Sequence, residues 1–286
     1  MQILLSENAG FCPGVRRADN AVRELIKNRK SDEIIFTLGP LIHNGVYVSS
    51  LEEEGVRALK ISELSSIIKN NPEKKLTFVI RTHGVSVDDN MYLRRLEAEN
   101  SNVKIVDMTC PSVKRIHDIA VKNTDENSFF ILFGSPTHPE SVASLSYAKG
   151  EKAIISSLEE LEKLDLQGKL PILCAQTTAN LLQFIQIKKT LKKLYTNAIF
   201  FDTICSVTEN RQYEAIDIAK KSDVMIVIGG KDSSNTEKLY SLCGQVCPKV
   251  LWIETAAELL TDFPDSAHCA GITAGASTPD GIIMEV

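Results

Sequence analysis

The sequence predicts an α/β fold of small parallel sheets arranged as three equivalent repeats. Short apolar runs of strand length alternate with stretches of helical periodicity, the pattern of βαβ units. Three cysteine-bearing turns recur at positions 12, 110 and 205, spaced 98 and 95 residues apart. Two further families of turns recur between them in the same order each time. The bulk properties agree. A chain of 286 residues with 43% apolar and 24% charged side chains can bury a core, which excludes a disordered protein. A net charge of −5 argues against a general nucleic-acid binder. No apolar run reaches the roughly 18 residues of a membrane span. The N-terminal residues lack the basic and apolar regions of a signal peptide, so a cytoplasmic location is expected.

The cysteine turns follow a strand and open a helix. Gln2–Leu5 leads to Cys12-Pro13-Gly14 and a helix with Val15, Ala18, Val22 and Leu25 on one face. Val103–Val106 leads to Thr109-Cys110-Pro111 and a helix facing inward through Val113, Ile116 and Ala120. Ala198–Phe201 leads to Cys205 and a helix facing inward through Ala215, Ile218 and Ala219. In the second family, Ile34–Leu38 runs to Gly39 with His43-Asn44 beyond it, Phe129–Phe133 to Gly134 with His138-Pro139-Glu140, and Val224–Ile228 to Gly229-Gly230 with Ser234-Asn235. In the third, Leu76–Ile80 runs to Thr82-His83-Gly84, Pro171–Cys174 to Gln176-Thr177-Thr178, and Ala270–Thr273 to Gly275-Ala276-Ser277. Nine βα units result, in repeats spanning 1–98, 99–195 and 196–286, with residues 1–13 free to pack with the third. Right-handed crossovers put all nine turns at the carboxyl ends of the strands, where ligands bind in such sheets. Any one turn is ordinary helix capping. Nine in matched order, carrying three Cys and three His, are not.

Three thiolates without a fourth protein ligand suit an iron–sulfur cluster with one iron open. Zinc with three thiolates and a water is the competitor, although none of the three cysteines has a neighbour at the usual knuckle spacing. Cys243 and Cys247 come near that spacing but read as helix packing, and Cys174 and Cys269 read as core. His43, His83, His138, Thr177, Ser233, Ser234, Asn235 and Ser277 are donors at or near helix N-termini, which favour an anion and a phosphate in particular. Neither a P-loop nor a dinucleotide fingerprint is present, so the anion is not expected to be a nucleotide. Glu140 is the carboxylate in this ring placed to act as an acid; the plainer reading is a charge complementing a helix dipole. His117 and His268 lie outside the matched turns and read as structural.

With these residues assembled, the chain resembles the 4-hydroxy-3-methylbut-2-enyl diphosphate reductase family of the non-mevalonate isoprenoid pathway. The resemblance runs from Gly10-Phe11-Cys12 to Ser277-Thr278-Pro279-Asp280. It includes Thr82-His83-Gly84-Val85-Ser86, Thr109-Cys110-Pro111, Thr137-His138-Pro139-Glu140, Gln176-Thr177-Thr178, Asn210-Arg211-Gln212 and Ser233-Ser234-Asn235. It implies a trefoil of three α/β domains around a central [4Fe–4S] cluster held by Cys12, Cys110 and Cys205, with one iron open to the substrate alcohol. It further implies that His43, His83, Ser233, Ser234, Asn235 and Ser277 hold the diphosphate, that Thr177, His138 and Glu140 border the reacting alcohol, and that Glu140 is the proton source. The implied reaction removes the allylic hydroxyl with two electrons and two protons, giving isopentenyl and dimethylallyl diphosphate. With no flavin or nicotinamide fingerprint in the chain, a ferredoxin or flavodoxin is implied as electron donor. Two other readings are a different three-cysteine cluster enzyme such as a quinolinate synthase, which needs arginines in the turns, and a non-enzymatic iron–sulfur regulator, which needs a basic patch or DNA-binding element.

Overall fold

The computed structural model describes residues 1–259, 263–264 and 266–286. Twelve strands among these form three parallel sheets of four. The first sheet takes β2 (Glu33–Leu38), β3 (Arg57–Leu59), β4 (Lys75–Ile80) and β5 (Val103–Asp107) in the order β3-β2-β4-β5. The second takes β6 (Ser128–Phe133), β7 (Glu151–Ile155), β8 (Leu170–Ala175) and β9 (Ile199–Phe200) in the order β7-β6-β8-β9. The third takes β10 (Val224–Ile228), β11 (Val250–Ile253), β12 (Cys269–Ala274) and β1 (Gln2–Leu5) in the order β11-β10-β12-β1. The order is the same in all three. Every pairing is parallel, as helical crossovers require.

Three of these strands, β3, β7 and β11, lie outside the nine expected units. Each is a sheet edge with little full burial, so it lacks the continuous apolar run that marks the central strands. By contrast β6 and β10 are buried at every residue, because helices cover both faces. The strand before each cysteine turn joins the sheet of the preceding repeat. β5 pairs with β4, β9 with β8, and β1 closes the cycle on β12. The positions 98 and 195 therefore fall within α4 (Val87–Glu99) and just beyond α8 (Leu181–Leu194), not between sheets.

By internal contacts the chain has two compact units. The larger comprises Arg17–Leu41 and Val48–Ile204 and holds the first two sheets. Its cores gather around Phe78, Leu93 and Leu64 in one sheet, and around Ile131, Phe184 and Leu191 on one side of the other. The smaller comprises Met1–Arg16, Ile42–Tyr47 and Cys205–Val286 and holds the third sheet, packed through Met225, Val227 and Leu239 on one face and Ile226, Ile228 and Ile272 on the other. The last helix, α11 (Asp280–Glu285), is six residues long.

In each sheet the chain leaves one central strand for an outer strand on one side and returns to the other central strand. The crevice at the carboxyl ends of β2 and β4, of β6 and β8, and of β10 and β12 is thus a topological switch point. The second and third families of turns are the chain segments that leave these ends.

Candidate active site

In the larger unit, Cys110 caps α5 (Pro111–Asn123), with Pro111 as first helical residue. Its amide donates to the Thr82 carbonyl at 2.9 Å, and Thr82 is itself held by amide and hydroxyl bonds to the Leu41 carbonyl. Arg17 Nη2 donates to the carbonyls of Met108 and Thr109 at 3.0 and 2.8 Å. Gly84 sits at φ +74, and an added Cβ would stand 3.0 Å from the Thr109 methyl and 3.1 Å from the His117 ring. Only glycine lets the two turns approach so closely. His117 is buried beneath them, stacked on Tyr147 with centroids 4.1 Å apart, and burial pulls its pKa down to about 4. It is a neutral prop.

The His83 ring meets the His138 ring edge-on at 5.2 Å. His138 caps α6 (Pro139–Ser146), its Nδ1 accepting from the Glu140 amide at 3.2 Å, which leaves the proton of the neutral ring on Nε2. Glu140, in the first turn of α6, is 2% exposed. Its carboxyl group accepts from the Thr177 amide (2.6 Å) and the Thr177 hydroxyl (2.8 Å). The Thr177 turn is held in turn by Gln176, whose Oε1 accepts from the Ser135 amide and the Ser141 hydroxyl while its Nε2 donates to Thr178. Burial pushes Glu140 up to about 7, against the opposing pull of the two Thr177 bonds. No cation offsets the burial in that balance. A dipole-complementing surface charge would be exposed and low; Glu140 is neither. The larger unit thus links Cys110, His83, His138, Glu140 and Thr177 through adjoining turns.

In the smaller unit, Cys12 precedes α1 (Pro13–Lys27), and its Sγ accepts from the Val15 amide at 3.4 Å. Cys205 caps α9 (Ser206–Ala219). All three cysteines of the repeat therefore stand at helix N-termini, partly exposed. The other four differ. Burial pushes the thiols of Cys174 and Cys243 up to about 12 and raises that of Cys247 as well. Cys247 lies past the end of α10 (Ser234–Gly244), not on it, and Cys269 is only half-buried at the start of β12. Cys243→Ser is expected to cost on the order of 1 kcal/mol in a denaturant melt and to leave any bound iron untouched.

Ser277, His43 and Ser233 also meet in the smaller unit. Ser277 Oγ donates to the His43 carbonyl at 3.1 Å and lies 3.4 Å from Ser233 Oγ. Ser233 caps α10, and Ser234 and Asn235 occupy its first turn. Gly230 permits the approach, since a Cβ there would fall 2.6 Å from the His43 carbonyl oxygen. The Asn235 side chain is buried, yet its Nδ2 has no partner among the described residues. A buried amide without an acceptor is costly, and an anionic ligand at this helix N-terminus would satisfy it.

Arg211 was visible in the sequence only as part of the Asn210-Arg211-Gln212 motif. It is among the largest fully buried side chains, and its guanidinium bonds the Gly10 and Ala274 carbonyls.

A family model described as LytB protein matches residues 3–286. The 4-hydroxy-3-methylbut-2-enyl diphosphate reductase of Caldanaerobacter subterraneus subsp. tengcongensis is 37% identical over 288 residues, covering 100% of this chain and 95% of the relative. The enzyme of that name from Clostridioides difficile is 39% identical, with 100% and 98% covered. The solved structure of the E-1-hydroxy-2-methyl-but-2-enyl-4-diphosphate reductase from Plasmodium falciparum superposes with a TM-score of 0.86 at 26% identity, covering 99% of this chain and 86% of that one. A solved (E)-4-hydroxy-3-methyl-but-2-enyl diphosphate reductase, the terminal enzyme of the non-mevalonate pathway, gives 0.67 at 34% identity, covering 100% and 98%. With a family match along nearly the whole chain and relatives of its own length, this chain belongs to the LytB protein family.

Proposed function

We propose that the protein reduces 4-hydroxy-3-methylbut-2-enyl diphosphate to isopentenyl and dimethylallyl diphosphate, with Glu140 as the proton source. The observation that carries this reading is a carboxyl group held near neutrality by burial and bonded to one threonine at the mouth of a switch point. The reaction breaks the allylic C–O bond, takes up two electrons, and delivers one proton to the leaving oxygen and one to carbon. Neutral Glu140 turns its O–H toward Thr177 Oγ1, which then offers its own proton onward. His138, with its Nδ1 occupied by the Glu140 amide, presents Nε2–H as a second donor.

The family implies an iron–sulfur cofactor, and the donor set fits one. Cys12, Cys110 and Cys205 stand at helix N-termini as soft ligands, whereas burial keeps Cys174 and Cys243 protonated. They would hold a [4Fe–4S] cluster with one iron left for substrate. When bound, such a cluster supplies single electrons and Lewis acidity toward a leaving oxygen. A ferredoxin or flavodoxin in the cytoplasm fits as electron source. No described helix is long and apolar enough to cross a membrane. A quinolinate synthase would need arginines in the turns, and a regulator would give Glu140 no purpose.

His43, His83, Ser233, Ser234, Asn235 and Ser277 serve the diphosphate, a remote handle whose binding energy positions the alcohol. The diol lacking its diphosphate should bind weaker by several kcal/mol, because charge-assisted hydrogen bonds are lost. Ser277→Ala should weaken diphosphate binding roughly tenfold or more, the worth of one hydrogen bond to a charged group, with an unchanged cluster spectrum. Equal reduction of diol and diphosphate would remove the anion site. The function itself is tested by anaerobic turnover of the cluster-loaded protein with dithionite and a mediator. Consumption of the alcohol with release of both isomers is the expected result; a loaded protein that makes neither overturns the reading.

A further inference from the structure

Arg211 lies on α9, six residues beyond Cys205, and is 2% exposed. Nη1 donates to the Ala274 carbonyl at 2.7 Å and Nη2 to the Gly10 carbonyl at 2.9 Å, two residues before Cys12. Nε has no partner among the described residues. Nor does any described carboxylate lie within salt-bridge distance of the guanidinium. Glu214, one turn along α9, is committed elsewhere. Its carboxylate accepts from the Ser6 hydroxyl, the amides of Glu7 and Asn8, and Asn8 Nδ2 at 2.6–3.1 Å.

A buried charge without a carboxylate partner is expensive. Two carbonyls alone do not account for it, because an uncharged amide would satisfy them at far lower desolvation cost. Burial dominates its electrostatics, and the acidic groups close enough to act on the guanidinium are Cys12, Glu214 and Cys205. Burial lowers Arg211 to about 10, so it remains a cation at neutral pH. With Glu214 held by Ser6, Glu7 and Asn8, the counter-charge belongs on the side of Cys12 and Cys205.

We propose that Arg211 is a positioning residue whose fixed positive charge faces the iron–sulfur group bound through Cys12 and Cys205 and raises its reduction potential. The inference rests on the cofactor reading above. Reduction adds negative charge beside a cation that cannot move away, and it is held there by the carbonyls of the two segments that carry or adjoin the ligands. The same two bonds fix the Gly10 and Ala274 backbones relative to α9.

The test compares anaerobically purified wild-type, Arg211→Gln and Arg211→Lys proteins by iron and sulfide content, thermal melting and EPR-monitored redox titration. Arg211→Gln should keep its iron and shift the reduction equilibrium about tenfold toward the oxidised form, which is about 59 mV downward for one electron. Arg211→Lys, which keeps the charge and loses the fork, should keep the wild-type potential while melting lower. A loaded Arg211→Gln with the wild-type potential overturns the inference and leaves Arg211 a structural clamp. If Arg211→Gln yields no loaded protein, the lysine variant decides. Wild-type iron content in Arg211→Lys supports the role of charge, and an equally empty lysine variant overturns it. Wild-type protein with no iron or sulfide overturns the cofactor reading and this inference together, whereas a loaded wild type confines any failure to Arg211.

Discussion

Glu140→Gln is expected to bind its cluster and its substrate and to lose about 10²-fold or more in turnover, the usual loss when a general acid is removed. Gln keeps the shape of Glu and can still accept from the Thr177 amide and bond its hydroxyl, so the turn that carries Thr177 should not move. What disappears is the acidic proton. Two pH effects accompany this change. The acid works only while protonated, so wild-type turnover should fall as pH rises through about 7 and flatten below it. Stability follows the same group. The folded-state pKa lies above the ordinary 4.5, so the native protein binds the extra proton in between. That contribution is fully present below pH 4.5 and lost as pH rises through about 7. Glu140→Gln should remove both dependences. If Glu140 were only a helix-terminus charge, the variant would turn over at near-normal rates and lose under about 1 kcal/mol of stability. Anaerobic rates across pH, beside a substrate-induced spectral shift, separate the two cases.

The parts of this site legible in the sequence are those that depend on position along a strand. A buried parallel strand is a short apolar run, and whatever polar residues follow it stand at the ligand-binding end of the sheet. His83, His138, Thr177, Ser233 and Ser277 all lie within five residues of the end of such a run, which is why the sequence aligns the turns. Edge strands carry no such mark. β3 is the tripeptide Arg57-Ala58-Leu59, and β7 opens on the exposed Glu151 and Lys152, so neither stands out from a loop. The sheet to which β5 belongs is illegible for a different reason: pairing β5 with β4 is decided by the crossover through α4, not by the composition of Val103–Asp107. Arg211 shows a third kind of gap. A helix pattern places arginine on the solvent side by default, whereas its burial here is against carbonyls from segments 63 and 201 residues away in sequence, which no helix pattern shows. Glu140 was singled out by its place in the ring, but its value as an acid comes from burial beneath Thr177, a tertiary fact.

Cys110→Ser is expected to cost the protein most of its iron and sulfide and to bring turnover below detection. The oxygen of serine is a harder and less readily ionised ligand than thiolate and binds cluster iron poorly. The backbone around it should survive, because the turn is held by groups the substitution leaves in place. The residue 110 amide still donates to the Thr82 carbonyl, the Thr109 amide to Asp107 Oδ1, and Arg17 to the Met108 and Thr109 carbonyls. Far-UV circular dichroism should therefore match wild type while the visible absorption of the cluster is lost. Cys12→Ser and Cys205→Ser should behave alike, each leaving its helix N-terminus intact. Cys174→Ser gives the contrast. That thiol is fully buried in β8, where burial holds it protonated, so the change should cost about 1–3 kcal/mol of stability for an imperfectly satisfied hydroxyl and leave iron content alone. Iron and sulfide analysis of the four variants, each purified without oxygen, decides the ligand set: a Cys110→Ser protein with wild-type iron and turnover would remove Cys110 from it.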